Sequence, residues 1–152
     1  VSAVVTQHSL FVGVYEHTID GKGRLILPSA FRAQLSAGAY VTPLDSCVGI
    51  LPVEEFADTA EQLRSQVGSS EVDLNALRSF AAKADFVTPD SQGRMRILSH
   101  LRDSGALERK VIVTGMIRRI EVWNPDRWRE VQSAGTESLA DAITLGRGIG
   151  GA

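Results

Sequence analysis

Asp20-Gly21-Lys22-Gly23-Arg24 returns as Asp90-Ser91-Gln92-Gly93-Arg94, and this recurrence decides how the rest of the chain is read. The offset of 70 persists through Leu27/Ile97, Phe31/Leu101 and Arg32/Arg102. Further on, Tyr40-Val41-Thr42 matches Ile112-Val113-Thr114, and Pro52/Asn124 and Phe56/Trp128 keep step at an offset of 72. Two extra residues in a loop account for the change. One Asp-x-x-x-Arg match would mean little; collinear agreement over about 40 residues marks an internal repeat.

Each copy follows one plan. A strand (12–19; 85–88) enters a glycine-containing turn, and a second strand (24–27; 94–98) leads to a short helix (29–36; 99–104). Pro28 fits the first helical turn and Gly38 the stop. Two strands follow, near 40–42 and 48–51, matched by 111–114 and 120–123. Pro52 or Pro125 then opens a final helix, the latter capped by Asn124. Between the copies lies a helical pair. Val53, Phe56, Ala57, Ala60, Leu63 and Val67 form one apolar stripe that ends at Gly68. Ser70 and Asp73 suit the start of a second helix, with Leu74, Leu77, Ala81 and Ala84 on its inner face. Beyond Val131 the pattern weakens, and the segment 146–152 reads as a flexible tail.

The expected fold class is therefore α+β and β-rich, with modules at 11–57 and 85–131, a helical connector at 58–84, and extensions at 1–10 and 132–152. The chain has 152 residues, of which 43% are hydrophobic, a composition that suits a folded protein. Modules of about 50 residues bury too little surface to be comfortable alone. The copies are expected to share a core or to associate with other chains.

Cys47 is the only cysteine, so an intrachain disulfide is excluded and a reducing compartment fits. The stretch Val1–Tyr15 lacks a basic region and reads poorly as a signal peptide. No run approaches the roughly 18 apolar residues of a membrane span, so the cytosol is the default location. The net charge is −2, which argues against indiscriminate nucleic-acid binding, yet the charges are segregated. From Val53 to Phe86 seven acids face three bases, whereas Gln92–Arg102 holds Arg94, Arg96 and Arg102 with no acid. Such concentrated basic stretches can bind phosphate if they face one way.

In an extended strand Asp20 and Arg24 would lie about 13 Å apart. A turn containing Gly21 and Gly23 can fold the chain back and bring them together. The carboxylate would then fix the arginine fork for a phosphate or a guanine edge. Lys22 adds a mobile charge at the tip. Gln92 takes that place in the second copy, where it can hydrogen-bond a base but cannot neutralise phosphate. Turn chemistry alone also selects Asp and Gly, so the pattern leaves a structural turn and an anion-binding turn both open. Arg94 and Arg96 share a strand face, about 6.6 Å apart, where the first copy has Arg24 and Ile26.

These residues resemble the MraZ family, bacterial regulators of the division and cell-wall gene cluster, and more broadly the AbrB-like modules of double-psi or swapped-hairpin type. The resemblance is carried by Phe11-Val12-Gly13-Val14-Tyr15, by Asp20 through Pro28, by Phe31-Arg32 and by Asp90 through Arg94. Val111 through Gly115, Arg119 through Trp123, and Trp128 complete it. It implies tandem AbrB-like domains assembled into a homo-oligomeric ring on short repeats in promoter DNA, with a cytoplasmic, nucleoid-associated location. By matching position it makes Lys22, Arg24 and Arg94 the leading DNA contacts and Asp20 and Asp90 their orienting carboxylates. Gln92 and Arg96 join them from the reading of the residues themselves. No cofactor, metal or membrane partner is implied. Two departures stand out: Leu98 stands opposite Pro28, and Arg96 interrupts an apolar strand. The second helix is therefore expected to start differently and the second surface to be more basic.

Other signals point elsewhere. Gly146-Arg147-Gly148-Ile149-Gly150-Gly151 spells a dinucleotide fingerprint without the strand, helix and acid that give it meaning. Cys47 has no neighbouring base in sequence and suits packing. His8, His17 and His100 lack metal-ligand spacing, although His100 follows the basic strand and could meet a phosphate. Trp123 and Trp128 suit packing of the second module. A DNA-binding regulator without enzymatic activity is the leading expectation. An antitoxin-like or scaffold protein-interaction module on the same fold is the alternative.

Overall fold

Backbone pairing sorts the strands into a large sheet and a small ribbon. The computed structural model describes residues 10–144. Its elements are β1 (Val14–Thr18), β2 (Arg24–Ile26), α1 (Ser29–Arg32), β3 (Ala39–Pro43), β4 (Val48–Pro52), α2 (Val53–Gly68) and α3 (Leu74–Lys83). The second copy continues with β5 (Asp85–Val87), β6 (Arg94–Arg96), α4 (Ser99–Ser104), β7 (Lys110–Met116), β8 (Arg119–Trp123) and α5 (Pro125–Thr144). Six strands form a sheet in the order β1-β7-β8-β4-β3-β5, and β2 pairs with β6 in the ribbon.

The copies interlock rather than fold side by side. β1 of the first copy pairs with β7 of the second, Tyr15 opposite Val113, and β5 of the second pairs with β3 of the first, Asp85 opposite Val41. At the centre β4 meets β8, Gly49 opposite Glu121, and in the ribbon Leu25 meets Met95. Exchanging the copies reproduces every one of these registers, so the chain carries an internal two-fold pseudo-symmetry. The expected shared core follows directly. Val41, Val48, Ile50, Val111, Val113, Ile120 and Val122 join Leu25, Leu27, Phe31, Met95, Ile97 and Leu101 in one buried cluster.

Those sheet residues alternate along their strands, so they occupy one face, with the ribbon against it. The other face carries Tyr40, Leu51, Phe86, Glu121 and Trp123. There Tyr40 stacks on Phe56 of α2 at 4.0 Å between ring centres, and Phe56 on Phe80 of α3 at 4.9 Å. Because Leu25 and Met95 point inward with no exposed surface, Arg24, Ile26, Arg94 and Arg96 must line the outer face of the ribbon. That face and the long helices are at opposite poles of the sheet.

Several expectations need correction. The helix expected over 29–36 is α1 followed by a tighter 3₁₀ turn at Ala33–Leu35, a common helix ending, which keeps Leu35 buried beside Phe31. Leu98 does not change the second helix start. Its φ of −59° lies beside the −53° of Pro28, within the range that proline imposes, and α4 starts at the matching residue. On α3, Leu74 is exposed, as is Ala81, and the inward residues are Leu77 and Phe80. The Phe80–Phe56 stack sets that rotation, while Asp73 caps the helix by accepting from the Asn75 N–H at 2.7 Å. Past Val131 the chain stays helical to Thr144, because Ala134, Glu137, Leu139, Ala140 and Ala142 favour helix without any core to pack on. Segments 1–9 and 145–152, including the glycine-rich motif and His8, lie outside the described residues.

Candidate nucleic-acid interface

Both turns fold the chain back through the same set of hydrogen bonds. The Gly23 N–H donates to the Asp20 carbonyl at 2.9 Å, and the Asp20 N–H donates to the Arg24 carbonyl at 2.9 Å. In the second turn Gly93 and Asp90 make the matching pair at 2.9 and 3.0 Å. Gly23 and Gly93 share a φ of +78°, a conformation that strains other residues. Gly21 was expected to help the turn, but its φ is not positive, and Ser91 fills the matching place.

Each carboxylate is fully engaged. Asp20 Oδ1 accepts from the backbone N–H groups of Lys22 and Arg24, each at 2.9 Å, and Oδ2 accepts from Arg24 Nε at 2.9 Å. Asp90 repeats this with Gln92 and Arg94, the side-chain bond being 2.8 Å. These bonds, first those from the backbone, hold both carboxyls below the usual aspartate range. Using Nε for the aspartate leaves the two terminal nitrogens of Arg24 and Arg94 without a hydrogen bond among the described residues. The arginine side chains keep 30% and 25% of their surface exposed, so each fork is both oriented and reachable.

Arg96 is placed differently. It lies on the same outer face, yet Nε and Nη2 each donate to Asp85 at 2.9 Å. The more basic second surface expected from sequence is thus offset by an acid eleven residues upstream. The repeat itself carried the signal. Asp85 and Arg96 stand at the positions of Tyr15 and Ile26, so a charged pair in one copy stands where the other has a tyrosine and an isoleucine.

Arg32 and Arg102, which the sequence marks as a repeated pair without assigning them a role at the turns, lie over the opposite copy's turn. A Cβ at Gly23 would fall on the Arg102 guanidinium, and one at Gly93 on that of Arg32. His100 Nε2 lies 3.0 Å from the Lys83 carbonyl. The His17 imidazole is held below its usual range by burial and by the charge of Arg32. Trp123 and Trp128 pack together with ring centres 5.8 Å apart. Cys47 is buried, with its thiol pushed up to about 12, chiefly by desolvation. Among the described residues no three metal-binding side chains gather, and no helix is long and apolar enough to cross a membrane.

A family model described as "MraZ protein, putative antitoxin-like" matches the chain twice, over residues 10–79 and 80–144. A protein of Salinispora arenicola is 37% identical over 133 residues, covering 87% of this chain and 94% of the relative. One from Lachnoclostridium phytofermentans is 36% identical over 136 residues, with 89% and 96% covered. One from a Nocardioides species is 38% identical over 132 residues, with 86% and 92% covered. All three carry the name transcriptional regulator MraZ.

Proposed function

The chain belongs to the MraZ family, and from that premise we propose that it is a transcriptional regulator whose two turns bind duplex DNA sequence-specifically. The observation that carries this reading is the duplicated aspartate-held arginine, Arg24 on Asp20 and Arg94 on Asp90, each partly exposed and with terminal nitrogens that have no partner among the described residues. A fixed fork loses little freedom when it meets a guanine edge or a phosphate. Lys22 adds phosphate attraction at the first tip, and Gln92 offers amide hydrogen bonding at the second. Arg96 contributes through whatever charge Asp85 leaves it. The units are residues 11–57 and 85–131, with 58–84 as connector.

One subunit presents few cations, and the net charge is −2. A homo-oligomeric ring on repeated DNA sites overcomes this, because linked sites raise effective concentration. The arrangement of the poles favours such assembly: the arginine face is opposite the helices, where Val131, Leu139 and Ile143 of α5 are exposed. Self-contact there leaves the DNA face clear. The gene target is the division and cell-wall cluster, and the location is cytoplasmic and nucleoid-associated. The role is binding rather than catalysis.

Selection of bound sequences from random duplexes, with light scattering on the same preparation, tests this reading. Enrichment of a short element in spaced repeats by an oligomer supports it. No enrichment, together with a protein co-purifying at fixed stoichiometry, would favour the antitoxin-like alternative.

A further inference from the structure

We propose that Arg32 and Arg102 are positioning residues that fix the two tips relative to each other, and so set the geometry with which the protein reads DNA. This rests on the DNA-binding reading above. The Gly23 carbonyl accepts from the Ile97 N–H at 2.8 Å. The carbonyl of that same Ile97 accepts from Arg102 Nη1 at 3.2 Å, and the Arg102 guanidinium lies against Gly23. Three residues thus close a loop between the first copy's tip and the second copy's strand-to-helix junction. The mirror loop joins Gly93, Leu27 and Arg32: Leu27 N–H to the Gly93 carbonyl at 2.9 Å, and Arg32 Nε to the Leu27 carbonyl at 3.1 Å.

Each tip is therefore clamped by the other copy. Gly23 precedes Arg24 and Gly93 precedes Arg94, so a displaced glycine carries the DNA-facing guanidinium with it. The contacts also explain why glycine occupies both sites beyond its positive φ: a side chain there would meet the arginine. Neighbouring positions of the two short helices have diverged, Ala30 against His100 and Ala33 against Asp103, while the arginine is the same in both.

The test uses the full chain with Arg102→Ala and Arg32→Ala, and Arg102→Gln and Arg32→Gln in parallel should alanine unfold either. Amide hydrogen exchange reads the clamp without DNA. Arg102→Ala should speed exchange at Ile97 and leave Leu27 at its wild-type rate, and Arg32→Ala should do the reverse. Equal acceleration at both amides, or none at either, overturns the proposal. Binding is then measured to a duplex that the wild type selects from a random pool, and to the unselected pool. Affinity for the selected duplex should fall roughly tenfold, about the cost of one lost base-pair contact, with affinity for the pool and the salt slope unchanged. A shallower slope would make these residues phosphate contacts and refute the positioning role, as would unchanged selectivity. If the wild type selects no duplex, the DNA reading fails and the exchange result alone decides the clamp.

Discussion

Arg24 stands directly opposite Arg96 across the β2–β6 ribbon. Like charges facing each other on adjacent strands repel, and the ribbon tolerates the pair because each guanidinium has its own carboxylate, Asp20 for one and Asp85 for the other. The pair of acids lets a positive surface persist on a net acidic chain. On the proposed reading, those acids also set how much of that charge is available to DNA.

Asp85→Asn frees Arg96 without removing it. The variant should bind DNA more tightly, with the logarithmic salt slope steeper by up to about 0.9 if one phosphate contact is gained. Stability should fall by about 1 kcal/mol, since the Arg96 side chain is more than half exposed while that of Asp85 keeps only 15% of its surface exposed. Salt titrations of both proteins by fluorescence anisotropy check this. An unchanged slope would remove Arg96 from the contact surface.

The turns should also respond to acid. Folding lowers the Asp20 and Asp90 pKa values from 3.8, so their contribution is complete above about that pH and fades as pH falls through the lowered folded values. Carbon-detected NMR of the two carboxyls should show midpoints below 3.8 and intact Arg24 and Arg94 Nε–H signals at pH 5. Midpoints at or above 3.8 would mean the carboxylates are not held as described.

Cys47 should be silent in the folded protein. Burial is the first cause of a thiol pKa of about 12, followed by the negative charge of Glu121, so almost no thiolate exists at pH 8. Labelling with a maleimide at that pH should track unfolding and accelerate with urea. Rapid labelling without denaturant would contradict the burial of β4's leading edge.

How much of this was legible in the sequence differs by element. Duplication at fixed offset revealed the two turns and the Asp–Arg pairings, because turn geometry is local and glycine marks it. The exchange of β1 and β5 between the copies was not visible, since a repeat looks the same whether each copy pairs with itself or with the other. The partner of Arg96 does not show in the sequence, because Asp85 reaches it across the fold rather than along the strand. On α3, Phe80 was overlooked as a packing residue because the helix was phased on Leu74 and Ala81, and a short amphipathic helix admits more than one inward face. Helix α5 ran past its hydrophobic signal because that signal reports burial, and helix propensity needs none.

The interlocked core gives a direct stability test. Leu25 is fully buried opposite Met95 at the pseudo-two-fold, so Leu25→Ala should cost about 2–5 kcal/mol. Urea unfolding should remain a single transition, since the residue belongs to a core shared by both copies. Two separate transitions would mean that the copies unfold as independent modules.

The central claim is that two aspartate-held arginines carry sequence-specific DNA binding, and the Arg24→Ala/Arg94→Ala double variant tests it most directly. Its affinity for a duplex selected by the wild type should drop to that for random DNA, with oligomer size by light scattering unchanged. Retention of wild-type affinity and selectivity by that intact variant would contradict the account.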